Sequence, residues 1–277
     1  MNQYVAAGPR PGAPLRLICF HHAGAGALTF AGWSARIGPL VSVVPVRLPG
    51  RETRLGEDRI TDVDRLFREL DEHLGPLLDE GPYAFYGHSL GALVAHRFAG
   101  HRIDSGRRAP AGVLVGACMA PHLPNPLISA ADADDTRLLG LLSGLGGVPE
   151  ELLARPAWLR GMLATTRADL VLGRALREGA TAPLPCPIWA FAGAEDRIAT
   201  PTAVAAWERW TTSAFHLRTL AGGHFFVRDG ELPRLLGELL DPSVVLAAEH
   251  RETPRTFEPL GAGTARDGIR GLRSAGE

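Results

Sequence analysis

The chain has 277 residues, 45% hydrophobic and 21% charged, which is the balance of a soluble globular protein able to bury a sizeable core in one large domain or two small ones. All 29 basic residues are arginines, set against 30 acidic residues for a formal charge of −1. This argues against a globally basic nucleic-acid binder and gives no reason to expect an anionic membrane as partner.

Met1 to Pro14 is polar and rich in Gly and Pro, without the apolar run of a secretory signal. No stretch approaches the ~18 continuous apolar residues of a membrane span. Cys19, Cys118 and Cys186 are scattered, with no C-x-x-C or metal-ligand spacing, and read as buried thiols in a reducing compartment. The expectation is a cytoplasmic monomer without nucleic-acid or membrane partner.

Leu15–Phe20 is a short apolar run ending at Gly24 and Gly26, which predicts a buried strand and a tight loop. Val41 to Leu48 predicts a second strand that Pro45 confines to an edge or shortens, stopped by Pro49-Gly50. Apolar residues at 63, 66, 67, 70, 74 and 77 give helical spacing from Asp62 to Leu78, with Thr61 or Asp62 as N-cap. Tyr83 to Tyr86 predicts a third strand, a turn at Gly87 to Ser89, and a helix over Ala92 to Ala99. Further strands are predicted at Gly112–Ala117, Pro187–Ala192 and Phe215–Leu220, and a closing helix at Leu232–Leu240.

This alternation implies an α/β fold with a mostly parallel sheet flanked by helices. Residues 121–185 break the rhythm. They carry helical spacing at Leu138 to Leu145 and Trp158 to Leu176 and no strand, as a helical lid insertion would. The expected organisation is one domain over 1–241 and a flexible polar tail over 242–277.

Gly87-His88-Ser89-Leu90-Gly91 matches G-x-S-x-G, the strand–turn–helix elbow of the α/β-hydrolase fold. Small residues two before and two after the serine let a sharp turn pack closely. The N–H of Leu90 at the helix start then faces a developing oxyanion. A serine hydroxyl needs a base, and His224, in Gly222-Gly223-His224-Phe225-Phe226 after the last strand, fits the chain order serine, acid, histidine. The acid belongs after the fifth strand, where Asp196 is favoured over its neighbour Glu195; Asp169, within the insertion, is a weaker candidate. His88 is expected to flank the site, and His96, His101 and His250 to lie on helix faces or the surface. The second oxyanion donor is expected at Ala23, in the small-residue segment His21-His22-Ala23-Gly24-Ala25-Gly26. Adjacent side chains diverge, so His21-His22 is a poor metal site, and no metal is expected.

Together these segments resemble the stand-alone, type II thioesterases that accompany polyketide synthases and non-ribosomal peptide synthetases. The resemblance is carried by Leu17 to Gly26 with Trp33, by Arg47-Leu48-Pro49-Gly50-Arg51-Glu52-Thr53-Arg54 as a P-G-R-x-x-R block, by Tyr83 to Ala92, and by the Gly193–Asp196 and Gly222–Phe226 segments. Arg167-Ala168-Asp169 is also of a kind seen there. The chain departs from the family in having His21 where Pro is common and Gly24-Ala25 where Gly-Gly is common.

The resemblance implies hydrolysis of an acyl thioester on the phosphopantetheine arm of an acyl or peptidyl carrier protein, with no cofactor of the enzyme's own. Ser89, His224 and Asp196 would act through an acyl-enzyme, and the N–H groups of Ala23 and Leu90 would hold the oxyanion. His22, His88, Leu138, Leu141, Leu142, Trp158 and Met162 are the candidate substrate-contacting residues. The same triad would also serve a small-molecule esterase, lactonase or acyltransferase, and the fold would also serve as an inactive binding module.

Overall fold

A computed structural model describes residues 2–179 and 182–241; the expected tail at 242–277, with His250, lies outside the described residues. In chain order the elements are β1 (Leu15–Phe20), α1 (Trp33–Arg36), β2 (Val41–Pro45), α2 (Val63–Asp79), β3 (Tyr83–His88), α3 (Leu90–Asp104), β4 (Val113–Gly116), α4 (Pro126–Ser129), α5 (Asp135–Gly144), α6 (Glu150–Leu153), α7 (Pro156–Glu178), β5 (Ile188–Gly193), α8 (Pro201–Ala205), β6 (Phe215–Leu220) and α9 (Glu231–Leu239).

The strands form one six-stranded parallel sheet in the order β2-β1-β3-β4-β5-β6. After β1 the chain runs outward to β2, then crosses back to β3 on β1's other side. The C-terminal ends of β1 and β3 therefore flank a topological switch point, where ligands bind in open parallel sheets.

Side chains alternate between two apolar layers, as the period of a strand demands. Ile18, Phe20, Phe85, Val113, Val115 and Ile188 face α2, α3 and the insertion. Leu17, Cys19, Ala84, Tyr86, Leu114 and Phe191 face Trp33, Leu232 and Leu236 on the opposite side. The three cysteines are free and buried, as expected.

Pro45 ends β2 at the sheet's edge, as expected of a residue with no N–H to donate. Part of that edge is covered by the N-terminal segment, which composition had suggested was only polar chain. Ala6 N–H donates to Pro45 O at 3.0 Å and Arg47 N–H to Tyr4 O at 2.8 Å, and Tyr4 is fully buried. Such cover blunts an otherwise open edge.

Asp62 caps α2 by accepting the N–H of Arg65 at 2.7 Å. α3 is longer than the expected Ala92–Ala99 because nearly every side of it is buried; between the sheet and α7 it has no polar stripe to mark its ends. His96 lies on this helix fully buried against Trp207 and Trp210, not at the surface. Between β4 and β5 the described chain is helical, comprising α4 to α7. α4 and α6 are single turns too short for periodicity to reveal. Arg97 of α3 donates to Leu176 O at 3.2 Å and to Gly179 O, holding the end of α7 against the main body. Among the described residues, no helix is long and apolar enough to cross a membrane.

Candidate active site

Ser89 stands between β3 and α3 with φ 54° and ψ −114°, a left-handed backbone that costs a non-glycine residue about 1–3 kcal/mol. The neighbouring glycines explain how the turn fits. A Cβ at Gly87 would overlap the carbonyl of Gly91, and one at Gly91 would overlap the carbonyl of Phe20 on β1. Ser89 N–H donates to Gly116 O on β4 at 2.7 Å, anchoring the turn. Leu90 begins α3, so its N–H is one of the free donors at a helix N-terminus.

His224 and Asp196 meet across the loops after β6 and β5. His224 Nδ1 lies 2.7 Å from Asp196 Oδ2, and both side chains are buried. Asp196 Oδ1 accepts the N–H groups of Ile198 at 2.9 Å and Ala199 at 3.0 Å. Burial opposes ionisation of Asp196. The hydrogen bond and charge of His224 outweigh it, together with these two N–H groups, and hold the carboxyl below its ordinary value. Glu195 points to solvent, so of the two candidate acids it is Asp196 that reaches the histidine.

His88 does not contact either cavity of the site, contrary to the expectation of substrate contact. It is fully buried. Its Nε2 lies 2.8 Å from His224 O and its Nδ1 2.9 Å from Tyr86 Oη. A carbonyl only accepts, so Nε2 carries the proton and Nδ1 accepts from the tyrosine. Burial pushes its pKa well below the ordinary histidine value, with His224 and His22 adding to the effect. A neutral His88 thus ties the backbone of His224 to β3.

The loop after β1 turns at Gly24, φ 76°, where a Cβ would overlap Thr166 Oγ1 of α7. Ala25 does not take a positive φ, so the alanine in place of the family's common glycine fits without strain. Gly24 N–H donates to Asp169 Oδ2 at 2.8 Å. Asp169 is fully buried in a two-pronged ion pair with Arg51 at 2.8 and 2.9 Å, so it serves that arginine and not His224, whose partner is Asp196. The second arginine of the block, Arg54, donates to Arg47 O at 3.0 Å and pairs with Glu57, closing the turn on itself. His21 is buried, and burial, helped by nearby Arg51, lowers its pKa to about 3. Among the described residues no cluster could hold a metal ion.

Two cavities share Ala23. A narrow one of about 20 Å³ is lined by Ser89, His224, Ala23 and Leu90, with apolar side chains such as Met119, Ile128 and Leu170. An open one of about 790 Å³ lies between the loop after β1 and the insertion. Of the residues expected to contact substrate, His22, Leu142, Trp158 and Met162 line the open cavity. Leu138 is wholly buried in the main core and Leu141 packs against that core; on α5 they face inward and serve packing instead. Leu28, Leu55, Thr166, Phe225 and Arg228 also line the open cavity. Leu28 and Leu55 carried no periodic signal because they sit in short turns.

A serine on a strained strand–helix turn, a buried carboxylate–histidine pair and adjacent backbone donors at the C-terminal edge of a parallel sheet make up the arrangement that serine hydrolases of the α/β-hydrolase fold use. The thioesterase-domain family profile matches residues 15–241, and the chain belongs to that thioesterase family. It is 36% identical over 224 residues to thioesterase PikA5 of Streptomyces venezuelae, covering 80% of this chain and 78% of that protein. Among solved structures it resembles RedJ, a thioesterase of the prodiginine biosynthetic pathway in Streptomyces coelicolor, with TM-score 0.77 and 37% identity over 85% of this chain and 94% of RedJ. It also resembles the type II thioesterase BorB from the borrelidin biosynthetic cluster, with TM-score 0.69 and 30% identity over 90% and 97% of the two chains. The expected kinship with type II thioesterases is borne out.

Proposed function

We propose that the enzyme hydrolyses acyl groups from the phosphopantetheine arm of acyl or peptidyl carrier proteins in polyketide or non-ribosomal peptide synthesis. In this reading Ser89 Oγ attacks the thioester carbonyl while His224 takes its proton, oriented by Asp196. The oxyanion is held by the N–H groups of Ala23 and Leu90. The arm leaves as a thiol protonated by His224. Water, deprotonated by the same imidazole, then releases the acid and restores Ser89.

The observation that carries this reading is the convergence of Ser89, His224, Ala23 and Leu90 on one narrow cavity, with Asp196 paired behind the histidine. The open cavity beyond Ala23 has room for the arm or the acyl chain, beneath an insertion that acts as a lid. The enzyme works as a cytoplasmic monomer and needs no cofactor, since phosphopantetheine arrives on the substrate. The chemistry alone would serve oxygen esters as well. The test compares an acyl-carrier thioester with the oxygen ester of the same acyl group. A large advantage in kcat/KM for the carrier substrate is expected; equal turnover of the two would refute the assignment.

A further inference from the structure

We propose that Arg51 and Asp169 are positioning residues for the oxyanion loop: their ion pair makes the insertion helix α7 a working part of the site. The inference rests on the reading of Ser89, Ala23 and Leu90 given above.

An oxyanion donor works by being in place before charge develops, so whatever fixes the backbone at Ala23 matters to the rate. The loop supplies little of this itself; within it, Ala25 N–H turns back to His22 O at 3.2 Å. The rest comes from two side chains 118 positions apart in sequence. Asp169 Oδ2 accepts the N–H of Gly24, directly after Ala23, at 2.8 Å. Arg51 Nη1 donates to Ala25 O at 2.8 Å. The two side chains then bind each other through both prongs.

Thr166 lies one helical turn before Asp169, on the same face of α7, and presses on Gly24 where any Cβ would collide. At the loop's far end Glu52, itself at φ 52°, accepts Leu28 N–H at 2.9 Å and pairs with Arg47 at 2.9 Å.

Stability alone gives a weak reason for the pair. Taking two charges out of water is costly, and apolar replacements of similar volume are often neutral or better. What apolar replacements would not reproduce is the acceptor for Gly24 N–H and the donor to Ala25 O. Since Asp169 belongs to α7, displacing that helix removes the acceptor and releases the loop. The insertion therefore couples to the chemistry as well as covering it.

The test is the double variant Arg51→Met with Asp169→Leu, which removes both charges and leaves neither unpaired. It should lower kcat about 10²-fold, the scale of losing one oxyanion donor, while KM moves less than about threefold. Affinity for an acyl-pantetheine trifluoromethyl ketone, which becomes a tetrahedral oxyanion on the serine, should fall by a similar factor. Affinity for the corresponding thioether, which stays in the ground state, should not change. Gly24→Ala, which leaves the ion pair intact and pushes the loop off Thr166, should give the same split.

Wild-type kcat in either folded variant, or equal weakening of ketone and thioether, overturns the proposal. The two readings fail separately. If Ser89 is not the nucleophile, the unmodified enzyme takes up no ketone; if only the positioning claim is wrong, the unmodified enzyme takes it up and the variants either bind it alike or lose ketone and thioether equally.

Discussion

At the sheet edge, Ser89, Asp196 and His224 sit on turns after β3, β5 and β6; backbone groups hold Ser89 and Asp196, and the side chains of His88 and Asp196 hold His224. Across the cavity, the insertion presents Leu142, Trp158 and Met162 from helices whose placement depends on packing against α3 and on a few arginine side chains. The first region has little room to change without losing the chemistry. The second can change its apolar lining and still fold. Substitutions at the edge should therefore act on kcat, and those in the lining on KM.

The largest effect is expected at Ser89. Ser89→Ala should lower kcat by about 10⁴-fold or more, leaving what binding and the oxyanion donors alone provide, as read by release of free thiol from an acyl thioester. Asp196→Asn should cost about 10³–10⁴-fold through loss of the correct imidazole tautomer. Glu195→Gln, at an exposed carboxylate, should stay within about twofold. If these two exchange behaviour, the assignment of the acid is wrong. In the insertion, Trp158 is 64% exposed at the cavity mouth. Trp158→Ala should raise KM by about three- to tenfold with kcat nearly constant; a loss confined to kcat would erase the distinction between the regions.

The smallest effect concerns acid stability. His21, His22, His88 and His96 all have pKa values lowered first by burial, to about 3 for His21 and about 4 for His96. Between those values and the unfolded value near 6.5 the unfolded chain binds more protons. Their contribution is therefore fully present above about pH 6.5 and is lost as pH falls toward the folded values. Asp196 adds a loss of the same sign at lower pH, because its folded pKa is also depressed. Thermal denaturation from pH 7 to pH 4 should show Tm falling steadily, and His96→Leu should flatten the slope.

The same contrast explains what could be read from the sequence. Leu15–Phe20 and Phe215–Leu220 are strands over the residues their apolar pattern marked, and the glycines at 87 and 91 announce a turn whose tight packing the structure displays. Local chemistry favoured Asp196 over adjacent Glu195 as the partner of His224, with Asp169 a weaker candidate; exposure separates Glu195, and pairing with Arg51 separates Asp169. The pairing of Arg51 with Asp169 was not legible, though both residues belonged to noted segments, because a long-range contact leaves no local periodicity. Nor did spacing reveal that Leu138 turns into the core while Leu142, one helical turn on, reaches the open cavity. That depends on how α5 is rolled against its neighbours.

The central claim is that Ser89 carries the acyl group between thioester and water. It is tested most directly by intact-protein and peptide mass spectrometry of an acyl-loaded carrier protein mixed with the enzyme and quenched over time. The account predicts that the carrier returns to its free-thiol mass, that a transient acyl adduct maps to the peptide containing Ser89, and that Ser89→Ala leaves the carrier loaded. Unloading by Ser89→Ala at the unmodified rate, or a carrier untouched by the unmodified enzyme, would contradict it.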